Sequence, residues 1–176
     1  MWSVYDYNDV CKEMSDNEVV ELATRVADQD DAFGETVLSV MARTDRLQLC
    51  KRLLDMGLSP DSPEDSMIRC IDENRVCACE MLALLLPYSK FPLRDQHDCG
   101  STLLHVAVCC GRVDVAKWLI DRGASMADMD IDCDKVVDMP MSDNVREELL
   151  EYERCRGCEG EGASFHAVRR CSDNLI

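Results

Sequence analysis

The feature that most constrains the fold is a sequence pattern that recurs after 66 residues. Residues 100–124 read GSTLLHVAVCCGRVDVAKWLIDRGA, and residues 34–58 read GETVLSVMARTDRLQLCKRLLDMGL. The positions that match in register are Gly34 with Gly100, Thr36 with Thr102, Leu38 with Leu104, and Gly57 with Gly123. A recurrence at twice about 33 residues indicates a repeat protein, in which each unit buries its apolar face only against neighbouring units.

Each of these two segments predicts a pair of short helices. In the 100–124 segment the Thr102 hydroxyl provides a helix N-cap, and Gly111 ends the first helix. A second apolar stripe then follows at helical spacing and ends at Gly123. In the 34–58 segment Asp45 takes the place of Gly111. Because aspartate tolerates the left-handed backbone region, we expect that conformation at Asp45.

Two weaker segments keep the apolar helical stretches but lose most of the glycines. In residues 64–88 we predict that Ser66 caps the first helix and that the second runs from Val76 to Leu86, closed by Pro87. In residues 133–152 we predict a first helix cut short by Pro140 and a second helix near 145–152. Residues 17–28 predict one further amphipathic helix that caps the first full unit.

On these residues and spacings the chain resembles the ankyrin repeat family. The resemblance implies an all-α solenoid of about four helix-turn-helix repeats with an N-terminal capping helix. The predicted organisation is an N-terminal extension at 1–16, an ankyrin repeat domain at 17–152 and a flexible Cys-containing tail at 153–176. Within the domain, the repeats are predicted near 31–60, 61–92, 97–129 and 130–152.

The resemblance also implies where a protein partner binds. In ankyrin proteins the turns between repeats project as fingers, and the first helices line a concave groove. The partner-binding candidates at those positions are Phe33, Glu35, Asp98, Cys99, Ser101, Cys109, Cys110, Asp132 and Asp134. Phe33 is either an aromatic anchor for the partner or a contact beneath the N-terminal helix. His105 occupies the family's histidine position, which implies that it links neighbouring turns by hydrogen bonds.

Acidic residues alternate in the last predicted finger, at Asp128, Asp130, Asp132 and Asp134. In an extended arm all four carboxylates would point to one side, where they would face Lys or Arg of a partner. The alternative is a calcium-binding EF-hand loop, but a loop that begins at Asp128 lacks the glycine at its sixth position. It also ends at Met139 instead of Glu. We therefore interpret the segment as an acidic finger.

Composition restricts the class of partner and the compartment. A net charge of −16 disfavours nucleic acid and anionic membranes as ligands of the array and favours a protein partner with a basic surface. The alternative is that the charge only maintains solubility. No apolar run reaches the length of a membrane span, and the N-terminus does not resemble a secretory signal. We interpret Cys50, Cys70, Cys77 and Cys79 as apolar filling, and we expect a monomer in the reducing cytoplasm, the nucleus or both.

The tail contains a metal-ligand pattern, Cys-x2-Cys-x7-His-x4-Cys, formed by Cys155, Cys158, His166 and Cys171. Four such ligands suit tetrahedral zinc, and the first and last spacings resemble a zinc knuckle, whereas the middle gap is longer. The alternative is a disordered tail without metal.

No arrangement of catalytic residues is recognisable in the sequence, so we expect a non-enzymatic interaction module, an adaptor or an inhibitor. The alternative function is a targeting module whose zinc-binding tail contacts RNA or protein.

Overall fold

The computed structural model describes residues 6–26, 36–58, 60, 63–73, 75–89, 93–94, 96 and 100–160 of the 176. Within these ranges the chain forms nine α-helices, two short 3₁₀ helices and no β-strand, apart from one isolated antiparallel bridge between Met129 and Lys135. None of the described helices is both long and apolar enough to cross a membrane. The chain divides into two compact units, Met1–Pro92 and Leu93–Ile176.

The first unit consists of three helix pairs. Their bounds are α1 Tyr7–Lys12, α2 Asp16–Val26, α3 Val37–Ala42, α4 Leu47–Asp55, α5 Pro63–Asp72 and α6 Ala78–Leu85, with a 3₁₀ helix at Leu86–Tyr88. The first helices α1, α3 and α5 pack in sequence, and the second helices α2, α4 and α6 do the same. Every residue of α3 is buried, so this helix lies at the centre of the unit's core. The predicted cap is confirmed, since Thr36 Oγ1 accepts a hydrogen bond from Ser39 N at 3.2 Å.

Helix α1 was not anticipated, because residues 1–16 were predicted to be an extension. Tyr7 and Cys11 of α1 are fully buried, and the helix packs against α3. Arg46, at the start of α4, donates to the backbone oxygen of Met14 at 3.1 Å and to Asp16 Oδ1 at 2.8 Å. The predicted capping helix is therefore the second member, α2, of an N-terminal helix pair.

The first helix of the middle repeat begins earlier than its predicted cap, Ser66. This helix, α5, starts at Pro63, and proline is favoured in the first turn because that position has no intrahelical N–H bond to lose. Ser66 therefore lies inside α5, where it is buried, and is not the N-cap. The second helix, α6, begins at Ala78, so Val76 precedes it and is 89% exposed. Pro87 lies within the 3₁₀ helix that follows α6.

Asp45 links two repeats by its side chain and does not adopt the predicted left-handed backbone. Among the described residues other than glycine, a positive φ occurs only at Cys133. The Asp45 carboxylate accepts a hydrogen bond from Val76 N at 3.1 Å and one from the Cys77 thiol at 3.3 Å. Asp45 thus differs from its counterpart Gly111, which has a φ of +69°.

The cysteines of the first unit differ in burial. Cys50 and Cys70 are buried as predicted, whereas Cys77 and Cys79 are partly exposed and do not serve as core filling. Burial raises the pKa of the Cys50 thiol to about 12, and that of Cys70 likewise to about 12. The Cys70 thiol donates to the Ala42 carbonyl oxygen at 2.7 Å, so its proton also has a structural partner.

From the raised pKa values of Cys50 and Cys70 we predict that the protein loses stability at alkaline pH. Their pKa values in the folded state lie above the ordinary thiol value of 9.0, so the unfolded chain releases these protons at a lower pH than the folded chain does. We expect the free energy of unfolding to fall as pH rises from about 9 towards about 12, which urea denaturation at several pH values measures. A Cys50→Ala/Cys70→Ala variant should lose less stability over that interval, and an identical loss would contradict the assignment.

The second unit contains α7 Leu103–Cys109, α8 Val113–Ile120, a 3₁₀ helix at Val136–Asp138 and α9 Asp143–Gly160. Helix α7 packs against α8, and α8 packs against α9. Ahead of Pro140 the first helix of the last repeat is reduced to the 3₁₀ turn, as the proline predicted.

Helix α9 continues to Gly160, past the predicted end of the repeat domain at 152. Polar contacts hold its later turns against the unit. Arg156 Nε lies 2.9 Å from Asp121 Oδ1, Tyr152 donates to the same oxygen at 2.8 Å, and Met126 N donates to Glu153 at 3.1 Å. The predicted flexible tail therefore cannot begin at 153, because residues 153–156 belong to the fold.

Candidate functional site

Residues 128–136, here called the finger, form a tight hairpin-like turn. Cys133 N donates to the Asp130 carbonyl oxygen at 3.1 Å, and Asp130 N donates to the Asp134 carbonyl oxygen at 2.9 Å. Cys133 has a φ of +66°. A turn followed by a left-handed residue is a common hairpin connection in which glycine usually takes the left-handed position. The finger is therefore a compact turn and not the extended arm predicted from the alternating aspartates.

The four aspartates of the finger have separate roles, so the predicted single row of carboxylates is wrong. Asp128 is buried, where its carboxylate accepts from Arg94 Nε at 2.6 Å and from Ser125 N at 2.7 Å. The Asp130 carboxylate accepts from the backbone N–H groups of Asp132 and Asp134, each at 2.9 Å. These two carboxylates stabilise the turn, whereas Asp132 and Asp134 are exposed residues.

The finger is also tied to the rest of the second unit through its backbone. Ile131 N donates to the Gly100 carbonyl oxygen at 2.8 Å, and Gln96 Nε2 donates to the Met129 carbonyl oxygen at 3.1 Å. At the base of the finger, Val136 N donates to the Asp128 carbonyl oxygen at 3.1 Å, and just outside it Val137 N donates to the Met126 carbonyl oxygen at 2.9 Å. The backbone conformation of the finger is thus fixed before any partner arrives.

His105 connects the finger to α7. Its Nδ1 accepts from the backbone N–H of Thr102, while Thr102 Oγ1 accepts from the backbone N–H of His105, and the two residues form a capping box. Because Nδ1 is an acceptor, Nε2 carries the proton and donates to the Asp134 carbonyl oxygen at 3.1 Å. The link between neighbouring turns implied by the family resemblance is confirmed, and both ring nitrogens are occupied by it.

Gly100 permits close contact between the start of the repeat and the finger. Its φ is +83°, and a Cβ added to it would lie 2.5 Å from Ile131 Cγ2. Non-bonded carbon atoms essentially never come within about 3 Å of each other, so any larger residue at position 100 would displace Ile131. Glycine is therefore required at this position both for the backbone conformation and for the contact.

The surface of the finger combines apolar and acidic side chains. Met129 is 50% exposed and Ile131 is 68% exposed, and Asp132 and Asp134 beside them are exposed as well. Within the described part of the chain, neither the Asp132 nor the Asp134 carboxylate has a hydrogen bond or an ion pair. Sequence reasoning missed Met129 and Ile131, although apolar residues within a run of aspartates were a visible signal.

The other predicted partner-binding residues fall into two groups. Cys109 is exposed, and Ser101 and Cys110 are partly exposed, all at the ends of the turns that flank α7. Phe33, Glu35, Asp98 and Cys99 lie outside the described residues, so their assignment stays a prediction.

The predicted zinc ligands are only partly covered by the structure. Cys155 and Cys158 occupy positions three residues apart on α9, whereas His166 and Cys171 lie outside the described residues. Among the residues that are described, no group of three or more His, Cys, Asp or Glu side chains is placed to hold a metal ion. The zinc site stays a prediction.

The chain forms helix pairs, and threonine caps the first helix in two of them. Within the first unit successive pairs pack against each other, which is the arrangement of a helical repeat protein. The family model for ankyrin repeats in three copies matches residues 1–132, about three quarters of the chain. The chain therefore belongs to the ankyrin repeat family, and the all-α repeat fold class is confirmed. Ankyrin repeats are generally protein–protein interaction modules and are typically non-enzymatic. No curated protein matches this chain.

Proposed function

We propose that this chain is a non-enzymatic adaptor or inhibitor that binds a protein partner through the fingers and first helices of its ankyrin repeats. The observation that carries the proposal is the finger, a turn whose backbone is hydrogen-bonded to its own unit while Met129, Ile131, Asp132 and Asp134 remain exposed. A preorganised surface of this kind loses little conformational entropy on binding, because its loops are already ordered.

Charge supports a partner with a basic surface. The chain carries a net charge of −16, and Asp132 and Asp134 of the finger are exposed. Complementary charge raises the association rate and excludes acidic competitors such as nucleic acid. We therefore assign the partner to the class of basic proteins and not to nucleic acid.

The proposed setting is the cytoplasm, the nucleus or both, with the protein as a monomer. Free thiols persist in these reducing compartments. The burial of Cys11, Cys50 and Cys70 as free cysteines supports this setting, because each fills core space as a small apolar side chain.

Affinity purification with quantitative mass spectrometry tests the proposal. The native chain is compared with an Asp132→Asn/Asp134→Asn variant and with a Glu147→Gln/Glu151→Gln variant, which removes the same charge from exposed positions on α9. We expect one protein to be enriched by the native chain and by the α9 variant, and to fall about tenfold with the finger variant. If the native chain enriches no protein above a bead control, the proposed function is wrong.

A second candidate function assigns the working role to the tail, which would bind zinc through Cys155, Cys158, His166 and Cys171 and contact RNA or protein. The continuity of α9 to Gly160 favours it, because the helix supplies two of the four ligands one turn apart. Native mass spectrometry with stoichiometric zinc tests metal binding. Deletion of residues 161–176 tests the role of the tail while leaving the Arg156–Asp121 contact intact, and partner capture that survives the deletion assigns function to the repeats.

A further inference from the structure

The finger presents an apolar patch that the fold does not cover. Five large apolar side chains remain exposed among the described residues, and two of them, Met129 and Ile131, lie two positions apart on this one turn. One side of Ile131 contacts Gly100, yet about two thirds of its surface stays open to solvent. Methionine adapts its shape readily to an apolar ligand, which suits an uncovered binding surface.

Recognition at this patch cannot use the backbone N–H groups of residues 131–134, because these donors are already engaged. The N–H groups of residues 131–134 all donate within the unit. Ile131 N donates to the Gly100 carbonyl oxygen, and Cys133 N donates to the Asp130 carbonyl oxygen. The N–H groups of Asp132 and Asp134 both donate to Asp130 Oδ1. A partner strand cannot use these groups to extend a sheet. The exposed apolar surface and the carboxylates beside it are what a ligand can contact.

Charge decides which ligand fits. The exposed Asp132 and Asp134 follow Met129 and Ile131 in the sequence, and Lys135 is the single cation of residues 128–136. The whole chain, including the finger, carries a net charge of −16. An acidic peptide or a nucleic acid would be repelled, whereas Lys or Arg beside an apolar residue would satisfy both parts of the surface.

We infer that the finger is a docking site for a basic segment of the protein partner. An apolar residue of that segment packs on Met129 and Ile131, and neighbouring Lys or Arg side chains pair with Asp132 and Asp134. The inference rests on the proposed function and narrows it to one surface and one class of ligand.

Selection from a library of displayed random peptides of about 12 residues, on the immobilised full-length chain at low salt, tests the inference. We expect the enriched peptides to carry an apolar residue flanked by Lys or Arg. Fluorescence polarisation of these peptides should show binding about tenfold weaker to the Asp132→Asn/Asp134→Asn variant, with a flatter salt dependence. Ile131→Ser should weaken binding about fivefold while the salt dependence is retained, since it removes apolar contact only.

Two controls keep the result interpretable. The Glu147→Gln/Glu151→Gln variant should bind the peptides as the native chain does, and Met129→Ser repeats the apolar test at the second exposed apolar side chain of the finger. Enriched peptides without Lys or Arg, or peptides that bind the finger variants as tightly as the native chain, would overturn the inference and leave the proposed function standing on another surface. If no peptide is enriched while the chain still captures a protein partner, the inference is likewise wrong. If no peptide is enriched and affinity purification with the native chain also captures no protein, the proposed function itself is wrong.

Discussion

Replacing Gly100 by alanine should lower the free energy of unfolding by about 2–4 kcal/mol. The left-handed backbone at this position, with φ of +83°, accounts for about 1 kcal/mol of that loss. The rest comes from the contact of the new Cβ with Ile131 Cγ2. This methyl group is attached directly to Cβ of a β-branched residue, whose rotation about χ1 is restricted. Urea denaturation followed by circular dichroism measures the change.

Gly123 supplies the matched control for this substitution. Its φ is +100°, but a Cβ added there meets nothing within 4 Å. Gly123→Ala should therefore show only the backbone cost of about 1 kcal/mol. Adding Ile131→Ala to the Gly100→Ala variant should recover part of the loss. Equal losses at the two glycines would show that the contact with the finger contributes nothing.

Replacing His105 by alanine should cost about 2–3 kcal/mol of stability. The ring is 1% exposed, so its removal leaves the Thr102 N–H and the Asp134 carbonyl oxygen without their present partner and opens a small cavity beside them. The same denaturation experiment measures the loss. The substitution should also weaken peptide binding at the finger, because the turn loses its tie to α7.

His105→Gln separates the two roles of the histidine. Glutamine at the third helical position can complete a capping box with Thr102, but it lacks the rigid ring that directs a donor to the Asp134 carbonyl oxygen while the other ring nitrogen accepts from Thr102. We expect about half the loss seen with alanine. A loss below about 0.5 kcal/mol for His105→Ala would place it among ordinary surface substitutions and contradict the linking role.

The helix pairs were predictable because their signals are local. Thr36 and Thr102 lie at the first position of a helix-period apolar stripe, and a hydroxyl there has a backbone N–H within reach. Helix α1 also has an N-cap, Asp6, but its apolar stripe was too short to recognise, since its six residues contribute only Tyr7 and Cys11 to the core. The later turns of α9 were missed for a related reason: they are held by Arg156 and other polar contacts and not by an apolar stripe.

The geometry of the finger depends on contacts that the alternation of aspartates does not reveal. The buried Asp128 carboxylate is hydrogen-bonded to Arg94, which lies 34 positions earlier in the chain. The Asp130 carboxylate accepts hydrogen bonds from two backbone N–H groups of the turn. The turn itself requires the left-handed backbone conformation of Cys133. The sequence therefore identified the segment that forms the finger, but it did not distinguish the carboxylates that build the turn from those that stay exposed.

Hydroxyl-radical footprinting of the full-length chain, alone and bound to its captured partner, tests most directly whether the finger is the binding surface. Met129 and Cys133 on the finger are exposed, as is Met56 in the first unit, and sulfur-containing side chains are readily oxidised. We expect the partner to protect Met129 and Cys133 while Met56 is oxidised at an unchanged rate. Oxidation of Met129 and Cys133 at the same rate in the free and the bound chain would contradict the assignment.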